Sequence, residues 1–234
     1  MRKTDDTSTV NEVNGVIILD KPAGITSAAA VNRVKRLLPR GTKIGHAGTL
    51  DPFATGVLLL LVGRATKRCE SLMGQPKRYD ATVKFGATTE TDDPESPEQP
   101  TPAATAIDRA TIDAVLPRFI GTIQQRPPAY SALKINGRRS CDRVRDGETV
   151  VPEARTVKIY GIKVLDYAWP TLRLRIDCGR GTYVRAIARD LGEALGVGGY
   201  LTQLRRTRIG EYDIADAVTL EALTAETLTQ HVRG

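Results

Sequence analysis

The glycine-rich stretch GHAGTLDPFATG, residues 45–56, places two side chains capable of chemistry close together. His46 is an ionisable imidazole, and Asp51 is a single carboxylate that precedes Pro52 and a run of apolar residues. A loop held by a rigid strand is a favoured place for a reactive group, and a carboxylate there can act as a nucleophile or a base. The pair Asp51 and Pro52 could equally do no more than begin a turn.

Other catalytic signatures do not occur in the sequence. There is no neighbouring Ser/His pair, HExxH, GK[ST] phosphate loop or GxGxxG, which argues against acyl transfer, zinc hydrolysis and nucleotide chemistry. The three cysteines, Cys69, Cys141 and Cys178, are odd in number and far apart, so neither zinc nor a disulfide framework is expected. The sequence therefore predicts a carboxylate that works without a set of metal ligands.

The charge of the chain favours a polyanionic partner. There are 34 Lys and Arg against 27 Asp and Glu, a formal net charge of +7. The basic residues concentrate in four segments, residues 33–43, 64–78, 126–145 and 173–208. Charge alone leaves two interpretations open, solvated helix faces and a nucleic-acid surface. One stretch opposes the trend: residues 90–106, the acidic segment, have five carboxylates, four prolines and no Lys or Arg, and are predicted to be a solvated loop.

The hydrophobic pattern predicts the elements that must position these groups. Strands are expected at residues 15–19, 57–62, 79–85, 157–164 and 172–178, and helices at residues 26–38, 65–73, 112–119 and 184–195. Residues 41–56 are expected to be a loop. The irregular mixture of helices and strands predicts an α/β (α+β) fold with a mixed, largely antiparallel central sheet, flanking helices and a basic cleft.

Length and apolar content set the broad class. The chain has 234 residues, 41% of them hydrophobic, and its longest apolar run is far shorter than the roughly 20 residues that span a bilayer. The N-terminus does not resemble a signal peptide, so a cytoplasmic protein without a membrane partner is expected. We predict a flexible tail over residues 1–14, a catalytic domain over residues 15–217 that includes the acidic segment, and a short helical segment over residues 218–234.

Six blocks with a distinctive residue order follow one another along the chain: LDKPAGITS, GHAGTLDPFATGVL, KRYDATVKFG, RPPAYSALKINGRR, CGRGTYVRAIARDLGEALG and YLTQLRRTRIG. In this order they resemble the TruB family of tRNA pseudouridine synthases. The resemblance implies the pseudouridine synthase fold and conversion of uridine-55 in the tRNA T-loop to pseudouridine, without a cofactor. Many members carry a further PUA-like domain, which we do not expect here. The resemblance also implies binding to the T-stem and loop of tRNA, and we expect a monomer, although the sequence itself does not reveal the oligomeric state.

The resemblance implies roles for particular residues. Asp51 is the catalytic carboxylate, which could attack C6 or C1′ of the uridine or assist glycal formation; the sequence leaves these routes open. Arg185 pairs with Asp51 and favours its ionised form. Tyr79 stacks on the flipped base and is a candidate for assisting proton removal. His46, Tyr183 and Leu204 contact the substrate.

Two regions have interpretations that remain open at this point. Lys21 in LDKP is either a phosphate or active-site contact or a solvated strand end. Residues 126–145 and 205–208 are predicted to hold the T-stem and loop, with the acidic segment pointing away from the RNA. Two alternatives to the enzyme are a non-catalytic tRNA-binding or folding chaperone of the same fold and a guide-dependent ribonucleoprotein subunit, although the latter would carry a PUA domain and a basic tail.

Overall fold

The computed structural model describes residues 13–102, 104–135 and 137–234, and strands dominate its secondary structure. The strands are β1 Gly15–Lys21, β2 Ile44–Ala47, β3 Thr55–Val62, β4 Lys77–Phe85, β5 Ala87–Thr88, β6 Gln99–Pro100, β7 Gly121–Gln125, β8 Lys134–Ile135, β9 Arg138–Arg139, β10 Arg155–Ala168, β11 Thr171–Cys178, β12 Gly199–Ile209, β13 Tyr212–Asp213 and β14 Val218–Thr219. The helices are α1 Ser27–Lys35, α2 Cys69–Gly74, α3 Arg109–Val115, α4 Ser140–Arg145 and α5 Val184–Ala194. The predicted tail lies almost wholly outside the described residues.

One mixed sheet organises the described residues. Its strand order is β14-β1-β3-β12-β4-β11-β10-β7, with β2 added beside β3 and β13 beside β12. The β1–β14 and β3–β12 pairs are parallel and the other pairs are antiparallel. The prediction of a mixed, largely antiparallel sheet with flanking helices is therefore confirmed.

The apolar run of β3 lies at the centre of the core. Every residue from Gly56 to Val62 is buried, and alternate residues join two hydrophobic clusters on the two faces of the sheet. A strand covered on both faces has to be apolar throughout, which is what the continuous pattern indicates.

Helix α5 covers one face of the neighbouring strands. In β11, Leu172, Leu174 and Ile176 are buried, and they alternate with polar residues that face the other way. The helix contributes Ile187 and Leu191 to the same cluster. Beyond its last turn the backbone of Gly196 has φ +72°, a left-handed conformation that favours glycine after a helix.

The structure corrects the expected loop and adds a strand that the sequence analysis left unassigned. Residues 41–56 include β2, whose four residues pair with β3. The segment YLTQLRRTRIG forms most of β12, in the interior of the sheet between β3 and β4. Polar residues interrupt its apolar pattern: Arg206 is buried, and Arg205 and Arg208 pair with aspartates. The predicted C-terminal helical segment contains β14 and a 3-10 turn, Leu228–His231, and Arg233 pairs with Val16.

The prediction that the acidic segment is a solvated loop is wrong for its first part. This part, Thr91, Asp92 and Asp93, is buried, although most of the remainder is exposed. The physical reason is electrostatic: Arg185 and Arg189 on α5 pair with Asp93 and Asp92, and so compensate the cost of burying both carboxylates. The segment packs against the face of α5 that approaches Asp51.

Helix lengths and polarity bear on membrane insertion. Across the described ranges, no helix has the length and apolar character needed to cross a bilayer.

Candidate active site

A cleft of about 500 Å³ brings together five of the seven predicted site residues. Asp51, Tyr79, Tyr183, Arg185 and Leu204 all line it. They come from four regions of the chain: the turn between β2 and β3, strand β4, the start of α5 and strand β12. Lys21 and His46 lie outside the cleft wall, and their surroundings are described below.

Asp51 lies on a turn that several neighbours hold in place. The hydroxyl of Ser27, the first residue of α1, donates to the Leu50 carbonyl and accepts from the Leu50 amide, both at 2.9 Å. The Ala54 amide donates to the Asp51 carbonyl at 3.1 Å. Gly48 opens the turn with φ +90°, which a residue with a side chain rarely adopts. The carboxylate is thus fixed by the backbone before any substrate arrives.

Arg185 connects Asp51 to two other parts of the molecule. Its Nε lies 3.0 Å from Asp51 Oδ2, and its Nη1 lies 3.0 Å from Asp93 Oδ2. The guanidinium also donates to the carbonyls of Thr91, at 2.8 Å, and Tyr130, at 2.9 Å. Its Nη donors make the hydrogen bonds to Asp93 and to the two carbonyls, whereas Nε forms no hydrogen bond among the described residues, so its contact with Asp51 is a close ion pair. The predicted pairing of Arg185 with Asp51 is present in the structure.

The ionisation of Asp51 is set by opposing influences. Burial raises the pKa of its carboxyl above the usual range, Arg185 and Lys21 lower it, and Asp93 raises it. Even so, 34% of the side chain remains accessible, because the carboxylate lies at the floor of an open cleft. The Asp51 carboxylate is therefore controlled by neighbouring charges and is still accessible to a substrate.

The sequence analysis missed Asp93. Its side chain is 2% exposed and accepts hydrogen bonds from the Thr91 hydroxyl, at 2.5 Å, and the Glu95 amide, at 2.9 Å. Beside it, burial raises the pKa of Asp92 to about 6, although Arg189 opposes the shift. A pointer did exist: two arginines on one face of a helix, Arg185 and Arg189, need carboxylate partners. The composition of the acidic segment does not indicate which of its carboxylates are the partners of these arginines.

Tyr79 and Tyr183 enter the cleft from different elements. Tyr79 is buried on β4, and its hydroxyl lies 3.5 Å from Arg206 Nη1; burial raises the pKa of this hydroxyl and Arg206 lowers it. Tyr183 precedes α5, where Gln125 accepts from its amide, at 2.8 Å, and donates to its carbonyl, at 3.1 Å. The Arg155 guanidinium lies 4.8 Å from the centroid of the Tyr183 ring, within cation–π range. Both rings are therefore held in fixed orientations.

Lys21 is completely buried rather than solvated. Its ammonium donates to three carbonyls, those of Pro22 at 2.7 Å, Ile25 at 2.8 Å and Pro52 at 3.3 Å. Burial lowers the pKa of Lys21 to about 8, Asp51 opposes this and Arg206 adds to it. This placement supports a role in holding the turn after Asp51 and leaves no exposed ammonium for a phosphate.

The buried ammonium should make stability rise with pH. Because the pKa of Lys21 is about 8 in the folded protein and near 10.5 when unfolded, the unfolded chain binds more protons between these values. Relative to Lys21→Met, the wild-type free energy of unfolding is expected to rise by about 3 kcal/mol from pH 8 to 10.5. Urea unfolding of both proteins at several pH values measures this. Lys35→Met, at an exposed site, is the control, and a wild-type minus Lys21→Met difference that is constant with pH would contradict the prediction.

His46 lies on β2, outside the cleft that contains Asp51. It borders a separate cavity together with three basic residues, Lys35, Arg40 and Lys43. Burial lowers the pKa of His46, and the charge of Arg206 lowers it further. Its Nδ1 is buried without a hydrogen-bond partner among the described residues. A contact of His46 with RNA stays a prediction.

The two basic segments predicted to hold RNA differ in the structure. Residues 126–145 include the hairpin β8–β9 and helix α4, and Lys134 of this hairpin borders the cleft. Within residues 205–208, Arg205 pairs with Asp20 and Arg208 with Asp213. Arg206 is buried, so it cannot contact RNA at the surface, which corrects the prediction for that residue. Within residues 13–102, 104–135 and 137–234, no group of three or more His, Cys, Asp or Glu side chains is arranged to hold a metal ion.

Sequence comparisons match nearly the whole described chain. A family model described as "TruB family pseudouridylate synthase (N terminal domain)" matches residues 35–184, and one described as "tRNA pseudouridylate synthase B C-terminal domain" matches residues 185–233. The chain is 46% identical over 220 residues to a tRNA pseudouridine synthase B of Xanthomonas campestris pv. campestris (strain B100), covering 93% of this chain and 70% of the relative. It is 46% identical over 213 residues to a tRNA pseudouridine synthase B of Corynebacterium glutamicum, covering 89% of this chain and 71% of the relative.

Solved structures show the same fold. A Cbf5-Nop10-Gar1 complex contains a chain that matches with a TM-score of 0.69 and 32% identity, covering 90% of this chain and 54% of that one. An H/ACA RNP bound to a substrate RNA containing 2′-deoxyuridine matches with a TM-score of 0.67 and 30% identity, covering 91% and 53%. The chain thus spans about half the length of these solved proteins. Together with the sequence matches, these likenesses establish that the chain belongs to the TruB family of pseudouridylate synthases.

Proposed function

We propose that this chain converts uridine to pseudouridine in tRNA, and that its target is uridine-55 of the T-loop. Membership of the family, whose relatives are named tRNA pseudouridine synthase B, supports the reaction and the class of RNA. The observation that carries the proposal is the ion pair of 3.0 Å between Arg185 Nε and Asp51 Oδ2, on the floor of a cleft that also contains Tyr79. The choice of uridine-55 in the T-loop is the more specific part of the proposal and rests on the resemblance of the six sequence blocks.

The reaction is an isomerisation. The bond between ribose C1′ and uracil N1 breaks, the uracil turns, C1′ bonds to C5, and C5 loses a proton while N1 gains one. Nothing is oxidised or reduced overall. Asp51 as an ionised carboxylate can attack C6 or C1′, or can assist loss of the 2′ proton toward a glycal. In each route the detached uracil has to stay aligned, so positioning is a large part of the catalysis.

The cleft residues divide these tasks. Arg185 favours the ionised form of Asp51 against the effect of burial. A uridine in a folded RNA must leave its stack to reach Asp51, and a cleft of about 500 Å³ has room for one flipped nucleotide. Tyr79 supplies an aromatic surface on the floor for the uracil, and Tyr183 and Leu204 border it. Asp51, Arg185 and Tyr79 are therefore the proposed catalytic residues.

The proposed RNA contact lies beside the cleft. The hairpin β8–β9 carries the exposed residues Lys134, Arg138 and Arg139, of which Arg138 pairs with Asp146 and Glu148. We assign this hairpin to the T-stem and loop because phosphates attract its remaining basic side chains. All of the cleft residues come from one chain, so a monomer is sufficient for the activity. We also place the protein in the cytoplasm, where it would meet tRNA.

A modification assay tests the proposal. The chain is incubated, without any guide RNA, with a tRNA transcript that has uridine at position 55 and with a matched transcript that has cytidine there. Carbodiimide treatment and primer extension should show a stop at position 55 in the uridine transcript alone. Absence of the stop with folded protein that binds tRNA would overturn the enzyme proposal and favour a folding chaperone. A stop elsewhere would overturn the assignment to the T-loop.

A further inference from the structure

Arg206 is a buried arginine without a carboxylate partner. It lies on β12 with 1% of its surface exposed, the largest of the completely buried side chains in the described part of the chain. Its neighbours Arg205 and Arg208 each pair with an aspartate, whereas no carboxylate of the described residues pairs with Arg206. Buried charges are costly unless they are paired, so this exception requires an explanation.

Three main-chain carbonyls accept the donors of Arg206. Its Nε donates to Val57 O at 2.8 Å, its Nη2 to Gly48 O at 3.0 Å and its Nη1 to Thr49 O at 3.3 Å. Gly48 and Thr49 belong to the turn that carries Asp51, and Val57 is in β3 on the other side of that turn. The guanidinium therefore connects both ends of the Asp51 turn to strand β12 through hydrogen bonds.

The same guanidinium faces Tyr79. Arg206 and Tyr79 are direct partners in the register of β12 and β4, and Nη1 lies 3.5 Å from the phenolic oxygen. Cys178 on β11 and Asp51 on its turn are the other ionisable groups whose charge acts on this hydroxyl. Arg206 is thus a cation 3.5 Å from the phenol of the proposed catalytic tyrosine.

Neutral carbonyls leave the charge of Arg206 uncompensated. Burial is the largest cause of the lowered pKa of Lys77 and of His46, and Arg206 is the next in both cases. For the Tyr79 hydroxyl, burial is again the largest influence and Arg206 the next, but here they act in opposite directions: burial raises the pKa and Arg206 lowers it. The field of Arg206 therefore reaches groups on β2 and β4, and a phenolate at Tyr79 would be the anion best placed to benefit.

We propose that Arg206 is a positioning residue for the reaction: its carbonyl bonds fix the turn that carries Asp51, and its charge faces the Tyr79 hydroxyl, where it favours the phenolate that takes the proton from C5. The phenolate becomes the neutral phenol in that step and returns the proton to water after the product has left, and N1 takes its proton from water, so the protons balance. This inference rests on the proposed function for the identity of the reaction.

The effect of the charge can be measured without RNA. A fluorinated tyrosine, whose hydroxyl is more acidic than that of tyrosine, replaces Tyr79 in the wild type, Arg206→Met and Arg206→Lys, and its 19F resonance is followed against pH. The pKa at position 79 is expected to rise by about one unit or more in Arg206→Met and by less in Arg206→Lys, which keeps a positive charge. Equal midpoints in the wild type and folded Arg206→Met would overturn the proposed action on Tyr79.

The effect on geometry is measured with tRNA. Single-turnover rates at saturating enzyme are expected to fall by about a hundredfold or more in Arg206→Met, with tRNA affinity unchanged. Arg206→Lys should lose about tenfold or more, because an ammonium cannot reach three carbonyls in a fork. Arg173→Met, an exposed arginine on β11, is the matched control and should keep the wild-type rate.

The outcomes separate the two proposals. If Arg206→Met does not fold, Arg206→Lys decides: a wild-type rate in that variant would overturn the positioning role. If the wild type forms no pseudouridine, the proposed function fails, whereas the 19F titration still reports whether Arg206 acts on Tyr79. A rate loss explained only by weaker tRNA binding would also count against the inference.

Discussion

Asp51→Asn is expected to abolish pseudouridine formation while tRNA binding persists. Asparagine has nearly the same shape and can stay on the turn that Ser27 and Lys21 hold, yet its amide is neither an effective nucleophile nor a base. The single-turnover rate should fall by about four orders of magnitude or more, because each open route for the reaction needs the carboxylate. Tritium release from C5-labelled tRNA measures the rate, and filter binding measures the affinity.

The matched control for this variant is Asp113→Asn. Asp113 is an exposed aspartate on α3 that pairs with Arg109 at 2.9 Å and does not line the cleft. It undergoes the same chemical change and should keep wild-type activity. Substantial turnover by Asp51→Asn, once deamidation back to aspartate has been excluded by mass spectrometry, would show that Asp51 is not the catalytic carboxylate.

The central elements of the fold could be predicted because local pattern and final burial agree. The apolar run at residues 57–62 has to be buried on both faces, and β3 is. The alternation in residues 172–178 requires one buried and one polar face, and β11 has both. Strand β12 could not be recognised in this way. Its arginines at 205, 206 and 208 suggest an exposed basic segment, and only the tertiary structure shows that one is buried and the others are paired.

The partners of the candidate site illustrate a similar limit. Asp51 and Arg185 could be found from sequence, because both lie in blocks that resemble the TruB family. Asp93 could not, because its segment has the composition of a solvated linker. What buries Asp93 is a guanidinium 92 positions away in the chain, and no local pattern reports a contact over such a separation. The true boundary between solvated and buried falls within the acidic segment, after Asp93.

Arg185→Lys is expected to reduce turnover much more than tRNA affinity. The guanidinium reaches Asp51, Asp93 and two carbonyls in one plane, whereas a lysine ammonium is a point charge with three donors and cannot hold all of them. A displaced cation leaves Asp51 less well oriented, and we expect a loss of about a hundredfold or more in kcat. Saturating single-turnover kinetics give kcat, and equilibrium binding of the same tRNA gives the affinity.

The pH profile distinguishes this role from a purely structural one. Asp51 has to be ionised, so activity is lost as the pH falls through its pKa, which burial raises and Arg185 lowers. Weaker pairing in Arg185→Lys should therefore move the acid limb of kcat to higher pH. Asp93→Asn should move it to lower pH, because Asp93 raises the pKa of Asp51. Shifts of opposite sign in two variants of one ion-pair network would not follow from a general loss of stability. If the acid limbs of the Arg185→Lys and Asp93→Asn profiles move in the same direction, the assignment of Arg185 as the cation that controls Asp51 is contradicted.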